Sequence, residues 1–498
     1  MDAGSVPRER GCSRDTSMNA GRDWIAHHLK IFGCCAVGKD APVILYRAAE
    51  ADLGLASKAL ECGTTVVAVL PDKGFVRAFE ATVDDSGAGS PAVLSADLAG
   101  PKPWRRLRTL HPHLRFNSAV GTSVVSDSDG APVWLHRQMD NAASIIFVGT
   151  DLASDLVRYR QGDPEAASKR PTEPMWGFAG ERPNYLFEGQ LAGEGPRERH
   201  ADWWCEVLAD ALARLCGETR LPMLPNGAQG AIVITGDDDQ AGLDRYRQQR
   251  DALGSLPVTY FLHPLTRHTP GTLGELKSRG PVELGLHPDA LEEPHKYASL
   301  FSEQAVWFKQ LTGEDTRTVR NHGFLNDGYW EHAKPWNAHG VNGSSNLPGF
   351  DGRMLNGSLL PAKLLLDDKL TDHWSILTAI GDGVVFVHGW DDHQSADCIL
   401  GLADDIRNSE VPGVIVVNLH PENIDKTRGM HRAVCKLVED GFVPWTLSEC
   451  FEWFERRPEQ HAPGSEQGEA GPEQREPGPR PALFRPSSWP SIFRRRSA

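Results

Sequence analysis

The sequence predicts an α/β protein built on two successive parallel sheets, and three observations carry that prediction. Short runs of β-branched and other apolar residues alternate with helical stretches. The pattern breaks off between Gly162 and Arg199, a segment dense in Pro, Gly and charge, and restarts after Pro225. The strand runs are almost continuously apolar rather than alternating, as expected of a parallel sheet whose faces are covered by helices.

Residues 1–40 lack sustained periodicity and are expected to be without order. The same holds for the tail 458–498, rich in Pro, Gly, Glu and Arg and ending in Arg494, Arg495 and Arg496, a basic tip read as solvated. Pro42 to Arg47 (PVILYR), Thr64 to Leu70 (TTVVAVL) and Ser144 to Gly149 (SIIFVG) read as strands, with a helix over Asp52 to Cys62 between the first two. This is the spacing of a βαβ unit. Trp203 to Cys216 reads as an amphipathic helix, and the boundary between two domains, 41–222 and 223–457, follows it. Beyond it, Ala231 to Thr235 (AIVIT), Val258 to Leu262 (VTYFL), Val282 to Leu286 (VELGL), Val384 to His388 (VVFVH) and Val414 to Leu419 (VIVVNL) read as buried strands, with a helix over Tyr297 to Leu311. Such a sheet is either open or closed into a barrel, and in both cases chemistry sits at the C-terminal strand ends.

The 498 residues carry 52 Lys and Arg against 67 Asp and Glu, a net charge of −15 that repels nucleic acid and anionic membrane surfaces. No apolar run approaches the roughly 20 residues of a membrane span. The polar stretch Met1 to Arg22 holds no secretion-type apolar core, so a cytoplasmic location is expected. Nine Cys at irregular spacing, without a CxxC, read as reduced thiols and not as a disulfide or zinc framework. The first domain shows no nucleophile elbow, dinucleotide fingerprint or phosphate loop, only Gly149-Thr150-Asp151 at a strand end, and is read as a partner or substrate-positioning domain.

The second domain is richer. AIVIT is followed by Gly236 and then Asp237, Asp238 and Asp239; VELGL by His287; VVFVH by Asp391, Asp392 and His393; VIVVNL ends at His420. Three adjacent carboxylates repel unless a cation or an arginine neutralises them, and Asp with His suits zinc or another first-row divalent ion.

The order of these pieces resembles the polysaccharide deacetylase family, metal-dependent carbohydrate esterases on a distorted (β/α) barrel, over about residues 228–456. Thr235-Gly236-Asp237-Asp238-Asp239 stands where the family has T-F-D-D-G, and Pro257 to Phe261 is similar to its P-x-T-x-F strand. The resemblance implies Asp237 as catalytic base and Asp238 as metal ligand. Glu283-Leu284-Gly285-Leu286-His287 is similar to the first half of E-x-G-x-H-(S/T)-x-x-H and implies His287 as a ligand. The family's second His is replaced by Leu291, which leaves His295 as the third ligand, with Asp289 and His322 as alternatives. Arg320-Asn321-His322-Gly323 occupies the place of the arginine motif, so Arg320 orients Asp237; His322 and Asp239 are assigned to substrate. Gly340 to Gly357 resembles the substrate-groove segment, Val417 to Pro421 the L-x-x-H-like motif with His420 as general acid, and Trp445 to Trp453 the closing helix.

The resemblance implies hydrolysis of an N-acetylated carbohydrate or similar small amide, with a divalent metal, zinc, as cofactor. Two other readings stay open. Asp237 and Asp239 also have the D-x-D spacing of a metal-dependent glycosyltransferase, and the missing His at 291 is compatible with an inactive carbohydrate-binding barrel.

Overall fold

The structure, a computed structural model, describes residues 14–34, 41–84, 92–117, 119, 121–168, 180–188, 197–239, 241–349 and 351–456. The tail read as disordered, with its basic tip, lies outside them. The described residues up to Glu455 form one compact unit.

The first half opens with a helix, α1 (Arg14–Ile31), where the sequence reading expected no order. Trp24, Ile25, His28, Leu29 and Phe32 are all buried. Their spacing is that of one helical face, diluted in the sequence by the charges around it. Then follow β1 (Val43–Tyr46), α2 (Leu53–Glu61), β2 (Val66–Val69), α3 (Lys73–Ala78), β3 (Thr82–Asp84), β4 (Val93–Ala96), β5 (Arg106–Arg108), β6 (Arg115–Asn117), β7 (Thr122–Ser126), β8 (Pro132–Gln138), β9 (Ser144–Val148), α4 (Leu152–Gln161) and α5 (His200–Cys216). The sheet order is β1-β2-β9-β8-β7-β4-β5, with β3 and β6 paired apart. Only β1, β2 and β9 are parallel; the rest is antiparallel. Asp151, at the end of β9, caps α4 and accepts a hydrogen bond from the Tyr46 hydroxyl at 2.7 Å.

The second half comprises β10 (Gly230–Asp237), α6 (Leu243–Leu253), β11 (Val258–Leu262), α7 (Pro270–Ser278), β12 (Val282–Leu286), α8 (Tyr297–Thr312), β13 (Thr318–Val319), α9 (Ala333–Ala338), β14 (Gly343–Pro348), β15 (Ala362–Leu366), β16 (Lys369–Thr378), β17 (Ile380–Gly381), α10 (Val384–Val387), α11 (Asp392–Ser409), β18 (Gly413–Asn418), α12 (Arg428–Glu439), β19 (Val443–Trp445) and α13 (Leu447–Arg456). Parallel pairing runs β10, β11, β12, β13, β14, β16. One residue beyond β16, β17 pairs with β18, and β18 pairs with β10, so the ring closes. The result is a parallel barrel wrapped by helices, with β15 as an antiparallel flap and β19 laid along the N-terminal half of β10. Every residue of β10 and β18 is buried. Each large aliphatic side chain withdrawn there from water contributes about 1.5–3 kcal/mol.

One expected strand is absent: VVFVH is a single helical turn, α10, with Phe386 and Val387 exposed. The barrel strand is the shorter β17, three residues earlier, so Asp391, Asp392 and His393 do not end a strand. Asp391 instead caps α11, and the His393 side chain stands 83% exposed.

The two sheets share a core in which Trp24, Trp134 and Trp204 join Val233, Trp374 and Val414. Asp202 of α5, fully buried, is the polar hub between them. It accepts from Arg199 Nε at 2.8 Å, Arg160 Nη2 at 3.2 Å, Ser358 Oγ at 2.6 Å and the Leu359 amide at 3.0 Å. No helix among the described residues is long and apolar enough to cross a membrane.

Candidate active site

The barrel mouth is built where β10 ends. Side chains alternate along an extended chain, so Thr235, Asp237 and Asp239 share one side while Gly236 and Asp238 share the other. Gly236 has no room for a side chain: a Cβ there would lie 2.7 Å from the Leu419 carbonyl oxygen and 3.1 Å from the Tyr260 ring.

Asp237 is held from both ends. Arg320 Nη1 donates to its Oδ1 at 2.8 Å and Asn418 Nδ2 to its Oδ2 at 2.8 Å. Arg320, fully buried, is itself fixed by Thr235 Oγ1, the Ser345 carbonyl and Thr378 Oγ1, with its guanidinium 4.7 Å above the Phe261 ring. Burial alone would raise the Asp237 carboxyl; Arg320, His287 and His420 override it and hold the group well below the usual carboxylate range. The sequence pairing of Arg320 with Asp237 is thus present in space.

Across from Asp237 stands His420, at the end of β18. Its Nδ1 lies 2.6 Å from Asp382 Oδ1, and its amide donates to Asp382 Oδ2 at 2.8 Å. That leaves Nε2 facing Asp237 Oδ2 at 3.6 Å and Asp239 Oδ2 at 3.8 Å. Burial works against the imidazolium, but Asp382 outweighs it and the His420 pKa is raised well above its ordinary value. Two residues on, Glu422 is pushed up to about 7 by burial, with one carboxyl oxygen lacking a partner.

Asp239, His287 and His322 form a group whose ligand atoms lie within 4.8 Å of one another. His287 Nδ1 donates to the Arg320 carbonyl at 2.6 Å, which leaves Nε2 as a lone pair 4.0 Å from Asp239 Oδ1. Burial lowers the His287 pKa to about 4, so the ring is neutral. A carboxylate and two imidazoles on a barrel rim suit a divalent first-row ion, and these residues fit one. A second group, His263, Asp289 and His322, shares His322 with the first.

Two residues assigned to metal from the sequence lie elsewhere. Asp238 is turned by the strand alternation into the wall, fully buried beside the Tyr246 and Thr266 hydroxyls and close to His268. Neither of its oxygens has an aligned hydrogen-bond donor, and burial raises its carboxyl. His295 is exposed on the short turn Pro294–Lys296 and is not among the converging groups. Asp239 and His322, assigned to substrate, are the residues brought to His287.

The E-x-G-x-H run spans the strand. Glu283 Oε1 accepts from Thr318 Oγ1 at 2.6 Å and Ser448 Oγ at 2.7 Å, while Oε2 accepts from Thr259 Oγ1 at 2.9 Å, so this residue ties the start of α13 to the strands. Gly285 sits where a Cβ would meet the Phe261 ring at 2.6 Å, and only His287 reaches the mouth. Sequence reasoning did not single out Asp382, His263, Asn418 or Glu422. Asp382 was hidden because VVFVH was taken for the strand, when the strand is the two-residue β17 that Asp382 follows.

No protein-family model and no curated protein sequence matches the chain. Among solved structures, the peptidoglycan deacetylase PdaC of Bacillus subtilis matches with a TM-score of 0.32 and 14% identity, over 47% of this chain and 95% of that one. A polysaccharide deacetylase described as putative and involved in O-antigen biosynthesis, from Bordetella bronchiseptica, matches with a TM-score of 0.30 and 18% identity, over 47% and 93%. A CE4 family pseudoenzyme from Bacillus anthracis matches with a TM-score of 0.27 and 11% identity, over 44% and 65%. The chain is similar to polysaccharide deacetylases. At these scores the likeness is slight, and the site is read from its own residues.

Proposed function

We propose that the barrel is a metal-dependent hydrolase that removes an acyl group from an N-acylated carbohydrate or similar small amide. The observation that carries this reading is the opposition of two differently tuned groups: Asp237, held ionised by Arg320, and His420, held protonated by Asp382, face one another beside Asp239. A carboxylate that stays a base and an imidazole that stays an acid are the pair needed to cleave an amide with water. The carbohydrate class is supported by the order of sequence motifs.

A divalent ion held by Asp239, His287 and His322 would supply Lewis-acid polarisation of the acyl carbonyl and of the attacking water. Asp237 takes the proton from that water, with Arg320 and Asn418 keeping its two oxygens in place. His420 Nε2 gives its proton to the leaving nitrogen, so that the C–N bond breaks to a carboxylic acid and a free amine. Asp382 holds the other ring nitrogen throughout.

The D-x-D reading of a glycosyltransferase fits less well. Both Asp237 oxygens are already engaged by Arg320 and Asn418, the arrangement of a fixed base and not of a metal ligand.

The test is metal content by mass spectrometry together with acetate release from N-acetylated sugars. About one zinc or similar ion per chain is expected in the wild type, lost in folded Asp239→Ala and His287→Ala but kept in Asp238→Ala. A wild-type protein that cannot be loaded with metal would sink the hydrolase reading and favour an inactive binding barrel.

A further inference from the structure

The two overlapping groups, Asp239 with His287 and His322, and His263 with Asp289 and His322, share His322, and the proton inventory separates them. The Leu265 amide donates to His263 Nδ1 at 3.0 Å. That nitrogen is therefore an acceptor, and the ring proton of neutral His263 sits on Nε2, which faces Asp289 Oδ2 at 3.3 Å. His263 has no lone pair left for a metal. The other Asp289 oxygen, Oδ1, lies 3.3 Å from His322 Nδ1, at ion-pair distance and off the hydrogen-bond line. Asp289 itself is pinned: Gln304 of α8 accepts from its amide at 2.8 Å and donates to its carbonyl at 2.7 Å, and its Oδ1 also accepts from the Leu291 amide at 3.2 Å.

We infer that Asp289, the ion-pair neighbour of His322 Nδ1, is a positioning residue that favours the ring proton on that nitrogen, leaves the Nε2 lone pair for an ion shared with Asp239 and His287, and so makes His322 the third metal ligand in the place of the histidine missing at position 291. His263 braces Asp289 from the far side and is not a ligand. The inference rests on the proposed metal-dependent reading of this site. His287 is oriented in the same manner by the Arg320 carbonyl, so both imidazoles carry an acceptor behind them. Such outer carboxylates typically change metal affinity by about 10- to 100-fold when removed.

The experiment uses the full chain stripped with a chelator, zinc competition against a chromophoric chelator, and cobalt(II) absorption as a spectroscopic signature. Asp289→Asn is expected to weaken zinc binding by about 10- to 100-fold and to alter the cobalt spectrum. Asp289→Glu is expected to recover part of the loss, and His263→Gln to leave the ligand count intact. Unchanged affinity in Asp289→Asn would overturn the inference. So would abolished binding in His263→Gln combined with retained binding in Asp239→Ala, because the other triad would then be the site. Long-range ¹⁵N NMR of histidine-labelled apoprotein gives a readout free of metal: His322 protonated at Nδ1 and His263 at Nε2 are expected, and Asp289→Ala, which removes both oxygens, should change the pattern of both rings. Absence of metal binding in the wild type would sink the hydrolase reading. The opposite tautomer on His322 would sink the positioning role even with metal bound.

Discussion

Asp382 and His420, 38 residues apart in sequence, meet at 2.6 Å just beyond the ends of adjacent strands, so the imidazole that follows β18 carries a buried carboxylate behind it. The Nε2 of that ring is thereby aimed at Asp237 and Asp239.

Removing Asp382 should move the basic limb of the pH profile. Burial opposes the His420 charge, but Asp382, then Asp237 and Asp239, raise its pKa well above the ordinary value, and Glu422 also interacts with it. In Asp382→Asn the desolvated ring loses its largest support, so the fall of kcat/KM at high pH should begin at lower pH. The stability sign is the same: a raised imidazole pKa contributes stability below its unfolded value and loses it as pH rises through the folded value. A basic limb unmoved in this variant would remove His420 as the acid.

Asp237→Asn should leave the fold and the metal in place while lowering kcat by about 100- to 10,000-fold, the range for loss of a general base. The folded-state carboxyl is depressed, so its pairing contributes stability above the ordinary carboxylate value that is lost as pH falls through the folded one. Turnover in single-turnover assays, with metal content measured alongside, checks the assignment; retained turnover would refute it.

Gly236→Ala should cost about 1–3 kcal/mol, because the new methyl would press on the Leu419 carbonyl and the Tyr260 ring at the base of the catalytic segment. Urea unfolding measures it. A variant as stable as wild type would mean that the segment yields freely.

Asp202→Ala should be the most damaging single change away from the mouth, at about 3–5 kcal/mol, since it strands the buried guanidinium groups of Arg160 and Arg199 between the two sheets. Thermal unfolding should show a lowered midpoint. Separation into two transitions would show that the halves unfold independently once this hub is lost.

Much of this was legible in the residues. The apolar runs of β10, β11 and β18 declared themselves because each is buried on both faces, and the pairing of Arg320 with Asp237 and the placing of His287 and His420 follow from motif order. The half-polar elements were less legible: α1 hides one apolar face among charges, and β17 is two residues long beside a more apolar run that forms a helix.

The sequence by itself determined which strands could be buried and that acid and imidazole groups would collect at their C-terminal ends, because hydrophobic patterning and strand direction are local properties. Only the tertiary structure decided which of three adjacent aspartates face the mouth, which histidines meet Asp239 there, and that Asp382 backs His420. Those choices depend on the phase of the strand pleat and on loops that meet from distant parts of the chain, and residue order along the chain carries neither.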